Sequence, residues 1–256
     1  MVKNFKNRRI FKIEVAERDL GVELLEKIRI FGKVTDFSGN PIKDAVVEIK
    51  NEHFETVYRA YTNNAGEYEI LVKKGSYLAL CACKDYKIKY LEYWAWNIPA
   101  YQNLHINPHI GGIEVYAMNA FRPQGAYPSL FIYFRPMSLR RYQEFKKKKT
   151  SRKVEIINIS PELSEKDIQV KIDGNPVKIL ELNRVREYAD GIYSLIAYLA
   201  QLTLPKRSLI AYLIQAAFHF KLLMKKGKSA YTRIDVRVRD PHTKEEGEGC
   251  LFWKPT

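Results

Sequence analysis

From residue 28 onward the chain alternates apolar and polar side chains in short bursts, each closed by Gly, Asn, Pro or Ser. Ile28, Ile30 and Val34 alternate with Arg29 and Lys33, the period-two signature of a strand with one buried face. Asp36-Phe37-Ser38-Gly39-Asn40-Pro41 supplies turn chemistry, and a second strand follows through Val46, Val47 and Ile49. A third is predicted at 56–61, and Asn63-Asn64-Ala65-Gly66 turns the chain into a fourth, where Tyr68, Ile70 and Val72 alternate with Glu67 and Glu69. Lys73-Lys74-Gly75-Ser76 turns it again into residues 77–83. Short strands at regular spacing between such turns predict an antiparallel β-sandwich. Residues 113–118 and 130–142 are expected to extend that sandwich or to cover it.

A second β pattern starts beyond residue 153. Ile168, Val170 and Ile172 alternate with Gln169 and Lys171, Asp173-Gly174-Asn175-Pro176 reads as a hairpin turn, and 177–182 returns. Ile234, Val236 and Val238 alternate with Arg233, Asp235, Arg237 and Arg239, a half-exposed strand. Residues 191–226 are ambiguous. Ser-Leu-Ile-Ala-Tyr-Leu occurs at 194–199 and again at 208–213, and Leu and Ala favour helix on propensity. Pro205-Lys206-Arg207 has hairpin length and tips the reading toward strands. The expectation is an all-β chain with a lead-in over 1–27, a sandwich over 28–145, a basic linker over 146–153 and an Ig-like sandwich over 154–256.

Composition agrees. Of 256 residues 46% are hydrophobic and 12% aromatic, with 17 Tyr and 12 Phe, which suits strands and gives each sandwich a core. Net charge is +14, a value that ordinarily points to nucleic acid or an anionic surface. Its distribution changes that picture, because residues 146–153 alone (Lys-Lys-Lys-Lys-Thr-Ser-Arg-Lys) carry six positive charges. Such a run reads as a solvated connector or an anion-binding arm, and no nucleic-acid motif accompanies it.

Gly32-Lys33-Val34-Thr35-Asp36-Phe37-Ser38-Gly39-Asn40-Pro41-Ile42-Lys43-Asp44-Ala45-Val46-Val47-Glu48-Ile49 resembles the opening of a carboxypeptidase regulatory-like domain. Thr62-Asn63-Asn64-Ala65-Gly66-Glu67-Tyr68-Glu69-Ile70 and Gly75-Ser76-Tyr77 resemble its second half. The likeness covers roughly 28–118. It implies a transthyretin-like sandwich with no active site of its own, the kind of accessory module appended to enzymes, transporters and surface proteins. The residues themselves agree: Gly39 and Gly66 stand where tight turns want positive φ, and Tyr68 and Tyr77 are placed as core corners.

The search for chemistry returns little. Cys81, Cys83 and Cys250 read as buried free thiols, since Cys81 and Cys83 side by side on one strand face are badly placed for a disulfide. His105 and His109 are four apart, with Glu114 as a third zinc ligand, but Pro108 breaks the helix that would bring the imidazoles together. His242-Thr243-Lys244-Glu245 imitates a metallocarboxypeptidase pair without a second histidine to complete it. No nucleophile elbow, phosphate loop or dinucleotide fingerprint is present. No catalytic residue, metal site or cofactor is expected.

Two sets of binding candidates remain. Tyr90, Tyr93, Trp94, Trp96 and Tyr101 crowd one segment and form either a sugar-stacking platform or part of a core, with Trp94 expected partly exposed and Trp96 buried. Arg140, Arg141, Arg233, Arg237 and Arg239 are the candidates for gripping an acidic partner. Three functional classes follow: a structural, assembly or adhesion protein acting through sandwich edges, a carbohydrate-binding accessory module, and an adaptor for an anionic polymer. A protein partner or a second copy is the leading partner class, polysaccharide the next, and nucleic acid is not expected. The first ten residues lack the apolar core of a secretory signal, and the apolar run at 209–224 is too interrupted for a membrane span. A cytoplasmic protein or a cytoplasmically assembled surface layer is therefore expected, unless a leader has been removed.

Overall fold

The computed structural model describes residues 27–124, 129–148, 158–189, 193–203 and 231–254. The first strands are β1 (Lys27–Lys33), β2 (Val46–Lys50), β3 (Thr56–Tyr61), β4 (Glu67–Lys73), β5 (Gly75–Cys83), β6 (Tyr93–Ala100) and β7 (Leu104–His105). Then come β8 (Ile113–Phe121), β9 (Ser129–Ser138) and a helix, α1 (Leu139–Lys148). The remainder is β10 (Ile168–Ile172), β11 (Asn175–Val177), β12 (Ile179–Ala189), β13 (Tyr193–Thr203), β14 (Thr232–Arg239) and β15 (Glu246–Trp253). Among the described residues no helix is long and apolar enough to cross a membrane.

The alternation in sequence becomes alternation in burial. In β4 Tyr68, Ile70 and Val72 are buried while Glu67, Glu69 and Leu71 face out, and in β14 Ile234, Val236 and Val238 are buried between half-exposed neighbours. Each such aliphatic side chain contributes roughly 1.5–3 kcal/mol by leaving water. Turn chemistry falls where expected: Gly66 has φ +76° and packs so tightly that a Cβ there would lie 2.5 Å from the Val34 carbonyl oxygen. Ile172 pairs with Asn175 across a two-residue turn, Asp173-Gly174, with both residues at positive φ.

An eight-stranded sheet, ordered β11-β10-β14-β15-β6-β5-β2-β3, runs through the middle of the molecule. On one face lies the three-stranded sheet β4-β1-β7, and the core between them holds Ile30, Val47, Ile49, Val72, Leu80, Tyr93 and Ile98. On the other face lies the four-stranded sheet β12-β13-β9-β8, enclosing Trp94, Trp96, Val115, Ile132, Phe134, Tyr198, Val236 and Leu251. The two sandwiches are therefore all-β, as expected, and share the central sheet as a common layer. The seam is β15, which is antiparallel to β14 and parallel to β6 through Gly249↔Trp94, Cys250↔Ala95 and Leu251↔Trp96.

Strand pairing does not respect the division expected at 146–153. Strands β8 and β9, expected to belong with the first sandwich, form the second sandwich's outer sheet through Phe134↔Tyr198 to Ser129↔Thr203. The end of the 130–142 segment and Lys146–Lys148 of the expected linker lie in α1, while residues 149–157 fall outside the described set. Residues 193–203 are strand, which resolves the first copy of the hexapeptide, whereas 204–230, with the second copy and the proline connector, fall outside the described residues.

Candidate functional site

The aromatic segment does not form a platform. On β6, Tyr93 faces the core under β4-β1-β7, whereas Trp94 and Trp96 face the opposite core. The indoles stack on each other at 5.2 Å and 17°, and Tyr116 and Phe54 meet both of them edge-on. Trp94 is only 6% exposed and Trp96 7%, so the expected exposure of Trp94 is absent and neither ring offers a face to a sugar. Tyr90 is half-buried under Lys89, and Tyr101 is exposed at the end of β6 with its hydroxyl 2.9 Å from Ser76 Oγ. Flanking strands cover β6 on both sides and a sheet covers each face, which leaves Tyr93 and the two indoles no solvent to face.

Beside the indoles lies a carboxyl whose only role on sequence grounds is that of a candidate zinc ligand. Glu114, on β8, is 3% exposed and accepts a 3.0 Å hydrogen bond from Trp94 Nε1. Burial, reinforced by the nearby Glu92 carboxylate, pushes its pKa up to about 8. Burial likewise raises the Cys81 and Cys83 thiols. All three cysteines are free and buried, and Cys250 lies on the face of the sheet opposite Cys81, which rules out a bond between those two. Among the described residues no three His, Cys, Asp or Glu side chains converge to hold a metal.

The arginines divide into two places. Arg140 and Arg141 begin α1 and tie it to the turn after β14. Arg141 Nη2 donates to Asp240, which is fully buried, and Glu245 accepts from the Arg140 backbone N–H and the Ser138 hydroxyl. Burial pushes the Asp240 carboxyl up, but the His242 and Thr243 backbone N–H groups and Arg141 outweigh it, and the net pKa is lowered. That network takes up Glu245 and the His242 backbone N–H, while the His242 imidazole is exposed. Arg233, Arg237 and Arg239 share the other face of β14, away from Ile234, Val236 and Val238. Arg239 is exposed, Arg233 pairs with Asp235 at 2.8 Å, and Arg237 pairs with Glu246 at 3.0 Å. Arg233 and Arg237 line one cavity together with His105 and His109.

Sheet edges are the remaining surface of interest, because an edge strand presents unpaired backbone N–H and C=O groups. The edge at β11 is three residues long and contains Pro176, and the edge at β7 is only two residues long. Edge β12 carries Glu181, Arg184 and Arg186 and a register shift, and edge β8 is broken by a bulge with Ala117 at φ +53°. Edge β4 carries Glu67, Glu69 and Lys73. Strand β3 differs. Among the described residues it is paired on one side only, to β2, with a register irregularity at Val57, and its one charge, Arg59, is already drawn to Glu48 at 2.5 Å. Its Val57 is 42% exposed and its Tyr61 63%.

Residues 29–93 match the carboxypeptidase regulatory-like domain, so the likeness read over 28–118 is shown for its first two thirds, β1 to the start of β6. No curated protein matches the chain. Among solved structures, a DUF3823 family protein from Bacteroides ovatus ATCC 8483 is 9% identical at a TM-score of 0.26, covering 88% of this chain and 98% of that one. BcpA, the major pilin subunit of Bacillus cereus, is 10% identical at 0.27, over 90% of this chain and 69% of its own. The full-length major pilin SpaD from Corynebacterium diphtheriae is 8% identical at 0.26, over 89% and 65%. Scores this low leave these likenesses without weight for function.

Proposed function

We propose that this chain is a non-catalytic assembly protein that associates by strand addition at the free edge of β3. The observation that carries the reading is at β3 itself: among the described residues it pairs only with β2, its single charge is drawn to Glu48, and Val57, at a register irregularity, and Tyr61 are exposed. The edges at β4, β8 and β12 also expose Leu71, Phe121 and Leu180, but none exposes a large apolar side chain as far as Tyr61. Main-chain hydrogen bonds from an added strand would supply affinity, and Val57 and Tyr61 the apolar contact. The occupant that fits is β3 of a second copy, since an isologous pair brings the same open edge to both sides. A regulatory-like domain with no active site of its own suits such a role.

Sedimentation velocity tests this. The wild-type chain should show concentration-dependent self-association, and Val57→Lys with Tyr61→Lys should abolish it while shifting stability by no more than about 0.5 kcal/mol, as expected of exposed positions. A wild-type chain that remains monomeric at the highest soluble concentration, or a double variant that associates as well as wild type, overturns the proposal.

A further inference from the structure

Beyond the edge of the three-stranded sheet, the central sheet continues through β15, β14 and β10 with no second sheet over it among the described residues, and the step forms an open cavity of about 370 Å³. Its wall is the segment from β7 onward, which runs parallel to β1 through Phe31↔His105 and a bridge at Thr35↔His109. In that extended segment Ile106 and Ile110 are buried, and His105, Asn107 and His109 project together into the step. Its floor comes in cross-strand rows, Gln169 opposite Arg237 opposite Glu248, and Lys171 opposite Asp235.

Of the two carboxylates in the step, Asp235 is engaged, accepting from Arg233 Nε at 2.9 Å, whereas Glu248 Oε2 stands 3.1 Å from His109 Nδ1 without a hydrogen bond and forms an ion pair only when that imidazole is protonated. The donors are not used up. Lys171 has no partner among the described residues, Arg237 gives only Nη2 to Glu246, and Asn107 accepts from the Lys33 N–H and keeps its own amide hydrogens. The aromatic faces that would stack on a sugar are occupied, Phe31 by His105 at 5.0 Å and Phe37 by the Arg237 guanidinium at 4.7 Å.

We infer that this step is a binding site for an oxyanion, a phosphate or sulfate group, with Lys171 and Arg237 as its cationic contacts and Asn107 and Gln169 as neutral donors, while Arg233 is spent on Asp235 and the His105 carbonyl. A surplus of converging donors selects a ligand rich in acceptors, and one compact cavity selects a single charged group over a long polyanion track. The site is independent of the β3 edge.

Two probes separate the sources of such a group: inorganic phosphate followed by calorimetry, and retention on heparin, whose sulfates are borne on a polymer. Both are applied to the wild type, to Lys171→Gln and Arg237→Gln, and to the double variant Lys146→Gln with Lys147→Gln, with melting temperatures checked throughout. Saturable phosphate binding, weakened roughly tenfold or more by each groove variant, supports a free anion as ligand. Heparin retention lost in the groove variants without measurable phosphate binding supports an oxyanion on a polymer. Phosphate binding indifferent to both groove variants, or heparin retention that responds only to Lys146 and Lys147, overturns the inference, as does the absence of binding to both probes.

Discussion

Glu114 shows what a single buried carboxyl does to this molecule. Its pKa of about 8 means the folded state holds the proton far more tightly than the unfolded chain, whose value is 4.5. The linkage therefore gives stability that is fully present below about pH 4.5 and is lost as pH rises through about 8. Glu114→Gln keeps an acceptor for Trp94 Nε1 and removes the titration. Its melting temperature should fall less than that of wild type between pH 5 and pH 9. The difference at the upper end should be worth a few kcal/mol, since each tenfold change in proton affinity corresponds to about 1.4 kcal/mol. Parallel melting curves for the two proteins across that range would contradict the placement of this carboxyl. Little of this is legible in sequence. Trp94 and Trp96 alternate as a strand pair should, but alternation cannot say whether the shared face meets water or a second sheet. Here β8 supplies Tyr116 and Glu114 to close it. Helical spacing is the wrong test for His105 and His109, because an even spacing also places both on one side of an extended chain, which is where β7 and the residues after it put them.

At the scale of elements, strands with one covered face are readable because their side chains alternate: β1, β4, β10 and β14 all fall where the pattern predicts. Strands covered on both faces carry no such alternation. In β5 and β6, residues 78–83 and 93–96 are apolar almost without interruption, and the reason is a sheet on each side. Strand β15 is hidden in sequence because its first half, Glu246-Gly247-Glu248-Gly249, reads as a charged loop. Its glycines are there for close approach: a Cβ at Gly247 would collide with the Ile113 carbonyl oxygen, and one at Gly249 would sit 2.9 Å from that of Val115. Gly247→Ala is therefore expected to push β8 off β15 and lower stability by about 1–3 kcal/mol in urea unfolding. An unchanged midpoint would show that the seam is looser than described. Which sheet a strand joins has no local signal either, since β9 meets β13 and β6 meets β15 only after long stretches of chain.

Across the whole molecule, the shared sheet makes the two sandwiches mutually dependent. Before the helix, β2, β3, β5 and β6 belong to the same sheet as β10, β11, β14 and β15, and the outer sheet of the second sandwich is half built from β8 and β9. The second core cannot close without residues from before the helix, whereas the first takes only Cys250 and Phe252 among its buried residues from beyond it. Cutting the chain between them would expose Trp94, Trp96, Ile132 and Phe134 on one piece and Val236 and Leu251 on the other, an apolar surface that no stable separate domain would present. The most direct measurement is made on a chain carrying a specific protease site inserted after Lys153. After complete cleavage, the two fragments should co-elute as one species under native conditions and unfold in a single transition, separating only in denaturant. Two fragments that part under native conditions, each compact and each with its own cooperative melting curve, would contradict the single shared sheet.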